Sequence, residues 1–202
     1  MGNGVGPIHG PRSHNCRYER PSAERRPGGP TPTNVPAGAT TTWEALTMND
    51  GNGWVWCSLG HRHWGRFGAA GLLVTDGPRV LLQHRAPWTH EGDSWAVLGG
   101  ARDSHEEPIT AALREAAEEA ALDPTLVTPF GQWVDDHGGW SYTTIVACTA
   151  TPLDLVPANA ESTAIQWWPI DAVGALRLHR GFAAAWPALR ELITHGADPV
   201  LP

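Results

Sequence analysis

The sequence predicts an α+β domain, within the broader α/β class, in which helices cover a mixed β-sheet. Apolar runs of strand length alternate with helical patterns in the order strand, strand, helix, strands, helices. Turn residues containing Gly and Pro separate these runs. The composition, 41% hydrophobic and 17% charged residues, is that of a folded domain, and 202 residues suffice for one such core.

Residues 1–42 differ in composition from the rest of the chain. They contain seven Gly, seven Pro and almost no large apolar side chains. Such a segment cannot bury enough surface to offset the entropy lost on ordering. We therefore expect a disordered N-terminal extension over residues 1–42 and one folded domain over residues 43–202. Five Arg in the extension leave a nucleic-acid-binding arm open, although a solvated tail is the preferred interpretation.

Apolar and β-branched runs bounded by turn residues predict six strands. These strands cover residues 67–75, 79–84, 95–98, 126–134, 142–149 and 164–168. The turn Asp76-Gly77-Pro78 makes a hairpin of the first two, and Gly138-Gly139 marks the turn of a second hairpin between the fourth and fifth. The third strand is expected to end at the double glycine Gly99-Gly100.

An Ala-rich segment from Pro108 to Leu122 predicts the first helix. Pro108 suits the first turn of a helix, and Asp123-Pro124 marks the end. Two further helical segments, residues 170–176 and 182–194, follow the last strand. The helices are thus placed to cover the predicted sheet.

Charge, cysteine content and hydropathy narrow the classes of function. Residues 43–202 carry nine Arg against nineteen acidic residues, so polymeric nucleic acid is an unfavourable partner. Three cysteines at wide spacings argue against a disulfide framework and favour a reducing compartment. No secretory signal pattern is present, and no apolar run approaches the ~18 residues of a membrane span. We expect a cytoplasmic protein without a membrane partner.

Three carboxylates of the predicted first helix share one patch. Glu115, Glu118 and Glu119 stand at positions i, i+3 and i+4, within an arc of about 100°, and apolar residues occupy the other side. The like charges of Glu115 and Glu119 disfavour the helix by a few tenths of a kcal/mol, which a cation would offset. Oxygen ligands alone favour Mg²⁺ or Mn²⁺ over Zn²⁺. The spacing by itself is also compatible with a surface helix carrying ordinary ion pairs.

The pattern around this helix resembles the Nudix box. It runs Gly100, five residues, Glu106, seven residues and then Arg114-Glu-Ala-Ala-Glu-Glu-Ala-Ala-Leu122, so all six glycine and charged anchors stand in register. The late Gly of the family is Ala121 here, its first aliphatic residue is only an Ala, and the Pro that often precedes the double glycine is Leu98. A left-handed helix cap would be mildly unfavourable for Ala121. The resemblance implies a Nudix-type α/β/α sandwich.

The resemblance also implies roles for individual residues. It implies divalent metal binding by three carboxylates and one backbone carbonyl, those of Glu115, Glu118, Glu119 and Gly99. Arg114 would fix the neighbouring carboxylate and, with Glu106, support the loop and the helix. Glu115 is alternatively the base that deprotonates the attacking water. Glu161, just before the last strand, is a candidate for a further catalytic carboxylate or a plain loop residue.

The expected activity is Mg²⁺- or Mn²⁺-dependent hydrolysis of a phosphoanhydride bond in a nucleoside diphosphate linked to another group. This class includes nucleoside triphosphates and oxidised nucleotides. The alternative is a Nudix-fold module that binds a nucleotide without cleaving it, against which the intact glutamates argue. Homodimers are common in the family, so a homodimer is a candidate assembly.

Residues that contact the substrate are expected in loops near the box. The candidates are Arg102, Trp88, His137 and Trp140. The two tryptophans would either stack on a flat group such as a base or serve packing alone. The predicted specificity loop covers residues 135–142.

The segment from Cys57 to His63 brings a thiol and two imidazoles close together in sequence. Only three zinc ligands are visible there, their spacing matches no usual zinc finger, and no partner pair is apparent elsewhere. The sequence therefore favours a packed, hydrogen-bonded entry to the first strand over a zinc site.

Overall fold

The computed structural model of the protein describes residues 4–6 and 49–196. The strands of this part of the chain are β1 (Gly4–Gly6), β2 (Trp54–Trp56), β3 (Arg62–Trp64), β4 (Ala69–Thr75), β5 (Arg79–Arg85), β6 (Trp95–Ala96), β7 (Leu98–Ala101), β8 (Thr128–Asp136), β9 (Ser141–Cys148) and β10 (Ser162–Pro169). The helices are α1 (Pro108–Ala120), α2 (Ile170–Val173) and α3 (Arg180–His195). One turn of 3₁₀ helix, Pro124–Leu126, links α1 to β8.

A mixed sheet of eight strands forms the centre of the domain. Its order is β1-β8-β9-β4-β5-β10, with β7 beside β4 and β6 beside β5. Strand β4 pairs in parallel with β9 and antiparallel with β5 and β7. The two predicted hairpins, β4–β5 and β8–β9, are both present. A separate hairpin of β2 and β3 precedes β4 in the chain.

Successive residues of β4 point to opposite sides of the central sheet, so both faces are apolar. A helix covers each face. Leu72 and Val74 pack in one buried cluster with Ala116 of α1. Leu73 packs in a second cluster with Leu189 of α3. The result is the α/β/α sandwich that the sequence predicts.

The double glycine lies inside strand β7, so the prediction that it ends a strand is wrong. Gly99 is paired with Gly71 of β4, and a Cβ atom on Gly99 would lie 2.4 Å from the carbonyl oxygen of Ala70. A Cβ atom on Gly100 would lie 2.7 Å from the carboxyl group of Glu115. Glycine is required here for the close approach of a strand and a helix, not for a turn.

The ends of the chain differ in part from the prediction. Most of the predicted extension over residues 1–42 lies outside the described residues, but Gly4–Gly6 pairs antiparallel with β8, where Gly4 is opposite Val134. Helix α2 ends at Val173, earlier than the predicted residue 176. None of the described helices is long and apolar enough to cross a membrane.

Candidate active site

Helix α1 is delimited by its first and last residues. Pro108 occupies the first turn, where its missing N–H leaves no hydrogen bond unmade. Ala121 ends the helix in the left-handed conformation, with φ 52° and ψ 31°, and its N–H donates to the carbonyl of Ala117 at 2.9 Å. The left-handed cap expected from the family resemblance is therefore present, on a residue with a Cβ atom.

Arg114 joins the loop before the helix to the helix itself. Its Nε and Nη2 donate to the two carboxylate oxygens of Glu106 at 2.7 and 2.9 Å, and Nη2 also donates to the carbonyl of Ala101 at 3.0 Å. Glu106 accepts a further hydrogen bond from the N–H of Asp103 at 3.1 Å. The Arg114 guanidinium holds the pKa of Glu106 below its usual range. The expected pair is thus in contact and fixes the loop.

The three glutamates of α1 lie at three depths. Glu119 is only 3% exposed, and its carboxylate accepts hydrogen bonds from the N–H of Gly99 at 2.8 Å and from the amide of Gln83 at 3.1 Å. The Glu115 side chain is 16% exposed, whereas that of Glu118 is 57% exposed. The sequence placed all three opposite the apolar side, but Glu119 points toward the sheet because these two donors satisfy it there.

Burial disfavours the ionised forms of Glu115 and Glu119, the two inner carboxylates. It raises the pKa of Glu119 to about 8. Burial also raises the pKa of Glu115, against the opposing effect of Arg114, and the charges of Glu118 and Glu161 add to the rise. A cation among these groups would favour their charged forms. A donor set made of carboxylate oxygens therefore fits a hard divalent cation.

Gln83 belongs to the site, although the sequence pattern did not point to it. It is fully buried in β5, and its amide N–H also donates to the carbonyl of Val97 at 2.8 Å. Its amide oxygen accepts a hydrogen bond from the hydroxyl of Ser162. The sequence offered one indication of Gln83: a single amide residue that directly follows the apolar run 80–82 of a predicted strand.

Glu161 lies directly before β10, the position that the sequence predicted. Its backbone carbonyl accepts a hydrogen bond from the N–H of Ala86 at 2.8 Å, which fixes the entry to the strand. Its carboxylate is near enough to Glu115 to raise the pKa of that group. The structure thus brings Glu161 toward the carboxylates of α1.

A cleft of about 480 Å³ opens where β4, β8 and β9 meet the end of β7. Two of the four predicted substrate residues, Arg102 and Trp140, line it. The Nε atom of Arg102 is buried and has no hydrogen-bond partner among the described residues. Trp88 lies in a loop and is 71% exposed. The ring of His137 packs against that of His63, with 4.6 Å between ring centroids.

Sequence comparisons agree with this geometry. The family model described as the NUDIX domain matches residues 65–192. A Mycobacterium tuberculosis protein named "Putative 8-oxo-dGTP diphosphatase 3" is 50% identical over 153 residues, which cover 70% of each chain. A Bifidobacterium longum protein named "Nucleoside triphosphate pyrophosphatase/Nudix hydrolase fusion protein" is 39% identical over 146 residues, 68% of this chain and 30% of that protein.

Solved structures show the same fold. The Nudix hydrolase RenU from M. smegmatis is 47% identical, with a TM-score of 0.67 over 75% of this chain and 99% of that chain. An Ap4A hydrolase of C. elegans, solved as a binary complex, is 19% identical with a TM-score of 0.51 over 64% of this chain and 98% of that chain, and it supports the fold alone. The box in register, the sandwich and these relatives agree, and the chain belongs to the Nudix family of pyrophosphohydrolases.

Proposed function

We propose that the protein hydrolyses a phosphoanhydride bond of nucleoside triphosphates, with oxidised purine nucleotides as preferred substrates and Mg²⁺ or Mn²⁺ as cofactor. The observation that carries the proposal is the position of the carboxylates. Glu115 and Glu119 contact β7 at its double glycine, and Arg102 lies directly after that strand in the cleft. The name of the M. tuberculosis relative supports an oxidised guanine nucleotide as the first substrate to test.

A divalent cation held by Glu115, Glu118, Glu119 and the carbonyl of Gly99 would neutralise charge that develops on the phosphate oxygens. The chain supplies the remaining functions through its own side chains. Arg114 donates to Glu115 at 2.9 Å and so orients that carboxylate. Oriented in this way, Glu115 is the first candidate to accept the proton of the attacking water, and Glu161, whose charge acts on Glu115, is the second.

Substrate recognition is proposed for the residues around the cleft. Arg102 lines the cleft, where its guanidinium is placed to donate to a phosphate or a base. Trp140 lines the cleft and offers an aromatic surface on which a base can stack, whereas Trp88 is exposed in a loop and is not among the residues that line the cleft. His137 is left out of this proposal because its ring packs against His63, and a different role for it is argued below.

Substitution of Glu118 tests the proposal because this side chain is the most exposed of the three and its contacts with Arg114, at 3.5 Å, are long. Glu118→Gln is expected to lower kcat by about 10³-fold, the equivalent of several kcal/mol of lost transition-state stabilisation, with an unchanged thermal midpoint. Release of phosphate and pyrophosphate from a nucleotide panel that includes 8-oxo-dGTP, with and without Mg²⁺, measures the effect.

Glu107→Gln is the matched control, since Glu107 is exposed and makes no capping hydrogen bond. This variant should keep full activity. Mg²⁺-dependent turnover by Glu118→Gln at the wild-type rate would refute the assignment of the metal site. A wild-type protein that binds nucleotides but releases neither product would favour the non-catalytic binding module instead.

A further inference from the structure

A cluster of metal-ligating side chains lies outside the carboxylate site. Cys57, His61, His63 and His137 each offer one ligand atom, and these four atoms lie within 4.8 Å of one another. The thiol of Cys57 is buried. The sequence shows only the first three because His137 comes from the distant turn between β8 and β9. The structure supplies the fourth ligand whose absence argued against a metal site.

Two ring nitrogens of the cluster need a partner. The Nε2 atom of His63 and the Nδ1 atom of His137 are both buried, and neither has a hydrogen-bond partner among the described residues. A buried polar nitrogen without a partner is unfavourable, and native proteins satisfy nearly all such groups. A metal ion bound between the rings would satisfy both at once.

The other ring nitrogen of His137, Nε2, has a carboxylate partner. Its Nε2 lies 3.1 Å from Oδ2 of Asp135. When Nε2 donates to a carboxylate, the lone pair is on Nδ1, which is the nitrogen left without a partner. Metal-bound histidines usually have such a carboxylate on the far side of the ring, where it fixes the ring and strengthens the ligand.

Backbone hydrogen bonds preform the turn that carries Cys57. The N–H of Cys57 donates to the carbonyl of His61 at 2.9 Å, and the N–H of Gly60 donates to the carbonyl of Cys57 at 3.0 Å. The N–H of Ser58 donates to the carbonyl of Gly138 at 2.8 Å, which ties this turn to the one that carries His137. These hydrogen bonds hold the two ligand segments side by side.

We propose that Cys57, His61, His63 and His137 bind one Zn²⁺ ion in a tetrahedral structural site. A thiolate with three imidazoles is a donor set that suits zinc and not Mg²⁺. All four positions of a tetrahedral zinc ion would be filled by the protein, and sites without an open position are structural. Ligand atoms around tetrahedral zinc lie about 3.3 to 3.6 Å apart, so the pairs that are farthest apart need to approach by no more than roughly 1.5 Å.

The zinc site would connect the β2–β3 hairpin to the wall of the cleft. His63 is the central residue of β3, and its ring stacks on that of Trp140, with 3.9 Å between centroids and 12° between planes. Trp140 lines the cleft and donates from its indole N–H to the carbonyl of Gly65 at 2.9 Å. Loss of zinc would therefore loosen the cleft wall while leaving the glutamates in place.

The metal content of untagged, purified protein tests this proposal. Wild-type protein is expected to contain one zinc per chain, as measured by mass spectrometry of the elements. Cys57→Ser and His63→Ala should lose the zinc, whereas the controls Cys148→Ser and His195→Ala should keep it. Glu118→Gln should also keep it, so the zinc site is tested independently of hydrolysis. Equal zinc in Cys57→Ser, His63→Ala and wild type would overturn the proposal.

Cobalt binding to the wild-type protein is a second test of the zinc site. It needs no variant, so it remains valid if a ligand variant fails to fold. Zinc is removed by a chelator, and Co²⁺ is added to the chain while the visible and near-ultraviolet absorption is recorded. We expect the strong visible bands of tetrahedral Co²⁺ together with a thiolate-to-metal charge-transfer band, and a higher thermal midpoint. Wild-type protein that contains no zinc and shows no charge-transfer band would overturn the assignment.

Discussion

Glu119 couples its own ionisation to the folding of the domain. It is the deepest of the three carboxylates of α1, and burial outweighs the hydrogen bonds from Gly99 and Gln83, so its pKa rises from 4.5 to about 8. The folded protein therefore holds a proton on Glu119 at pH values where the unfolded chain has released it. A bound divalent cation would reverse this preference.

The stability of the protein without Mg²⁺ is expected to fall with rising pH because of Glu119. Since its pKa is higher in the folded state, the contribution is fully present below about pH 4.5 and is lost as the pH rises through about 8. Thermal midpoints over this range, in buffers cleared of divalent cations with a chelating resin, measure the effect. Glu119→Gln should flatten the profile, and an unchanged slope in this variant would contradict the explanation.

Gly100→Ala is expected to impair catalysis more than folding. The added Cβ atom would lie 2.7 Å from the carboxyl group of Glu115, which is the movable end of a side chain. A displacement of about 1 Å at a reacting group can lower the rate by about 10²-fold. Steady-state kinetics and thermal unfolding separate the two effects. Gly174→Ala, where no other atom lies within 4 Å, is the control, and wild-type kcat/KM in Gly100→Ala would disprove the expectation.

At the scale of elements, local sequence patterns predict most strands and helices but not where a strand changes its neighbour. The hairpins β4–β5 and β8–β9 and helix α1 follow from apolar runs that turn residues or Pro interrupt. The sequence predicts one strand over residues 95–98 that ends at the double glycine, yet β6 pairs with β5, and β7, which contains both glycines, pairs with β4. Periodicity reports which side chains are buried and carries no information about the partner strand.

The end of helix α1 offers a stabilising substitution. Ala121 is exposed and left-handed, a conformation that glycine adopts without steric strain. Ala121→Gly is expected to raise the free energy of unfolding by about 1 kcal/mol and the thermal midpoint by about 2 to 4 °C. Denaturant and thermal unfolding measure these changes.

Ala117→Gly is the matched control, because the same exchange inside the helix should destabilise by about 0.5 to 1 kcal/mol. Equal effects of the two substitutions would show that the backbone conformation of Ala121 does not matter.

At the scale of the whole molecule, the sheet separates two buried hydrophobic clusters, and only one of them lies beneath the carboxylates. The cluster on the α1 face supports the carboxylates, whereas the cluster on the α3 face contains Leu189 and Phe182 and lies behind the sheet. Damage to the second cluster should therefore affect stability before it affects chemistry.

Leu189→Ala tests this separation. Leu189 is completely buried in α3, so its truncation is expected to lower the free energy of unfolding by about 2 to 5 kcal/mol. At temperatures well below the new midpoint, kcat should equal that of the wild type. Unfolding curves and initial rates on the same preparation provide the comparison. Leu126→Ala, at an exposed leucine, should change stability by less than about 0.5 kcal/mol.

The parts of the site that lie close together in sequence could be predicted, and the parts that depend on strand register could not. Glu106, Arg114 and the three glutamates fall within one continuous pattern. Gln83 meets Ser162 only because β5 pairs antiparallel with β10, and His137 meets His63 only because the turn between β8 and β9 lies beside the β2–β3 hairpin. Such contacts are set by the packing of distant segments, which a single sequence does not show.

The hydrogen bonds of Gln83 have a consequence for substrate binding. The amide oxygen accepts from Ser162 and the amide nitrogen donates to the carbonyl of Val97, so the group cannot rotate by half a turn. The orientation of the donor that faces Glu119 is therefore decided when the chain folds. The entropy of ordering this carboxylate is lost at that stage, and an arriving nucleotide binds to a preorganised site.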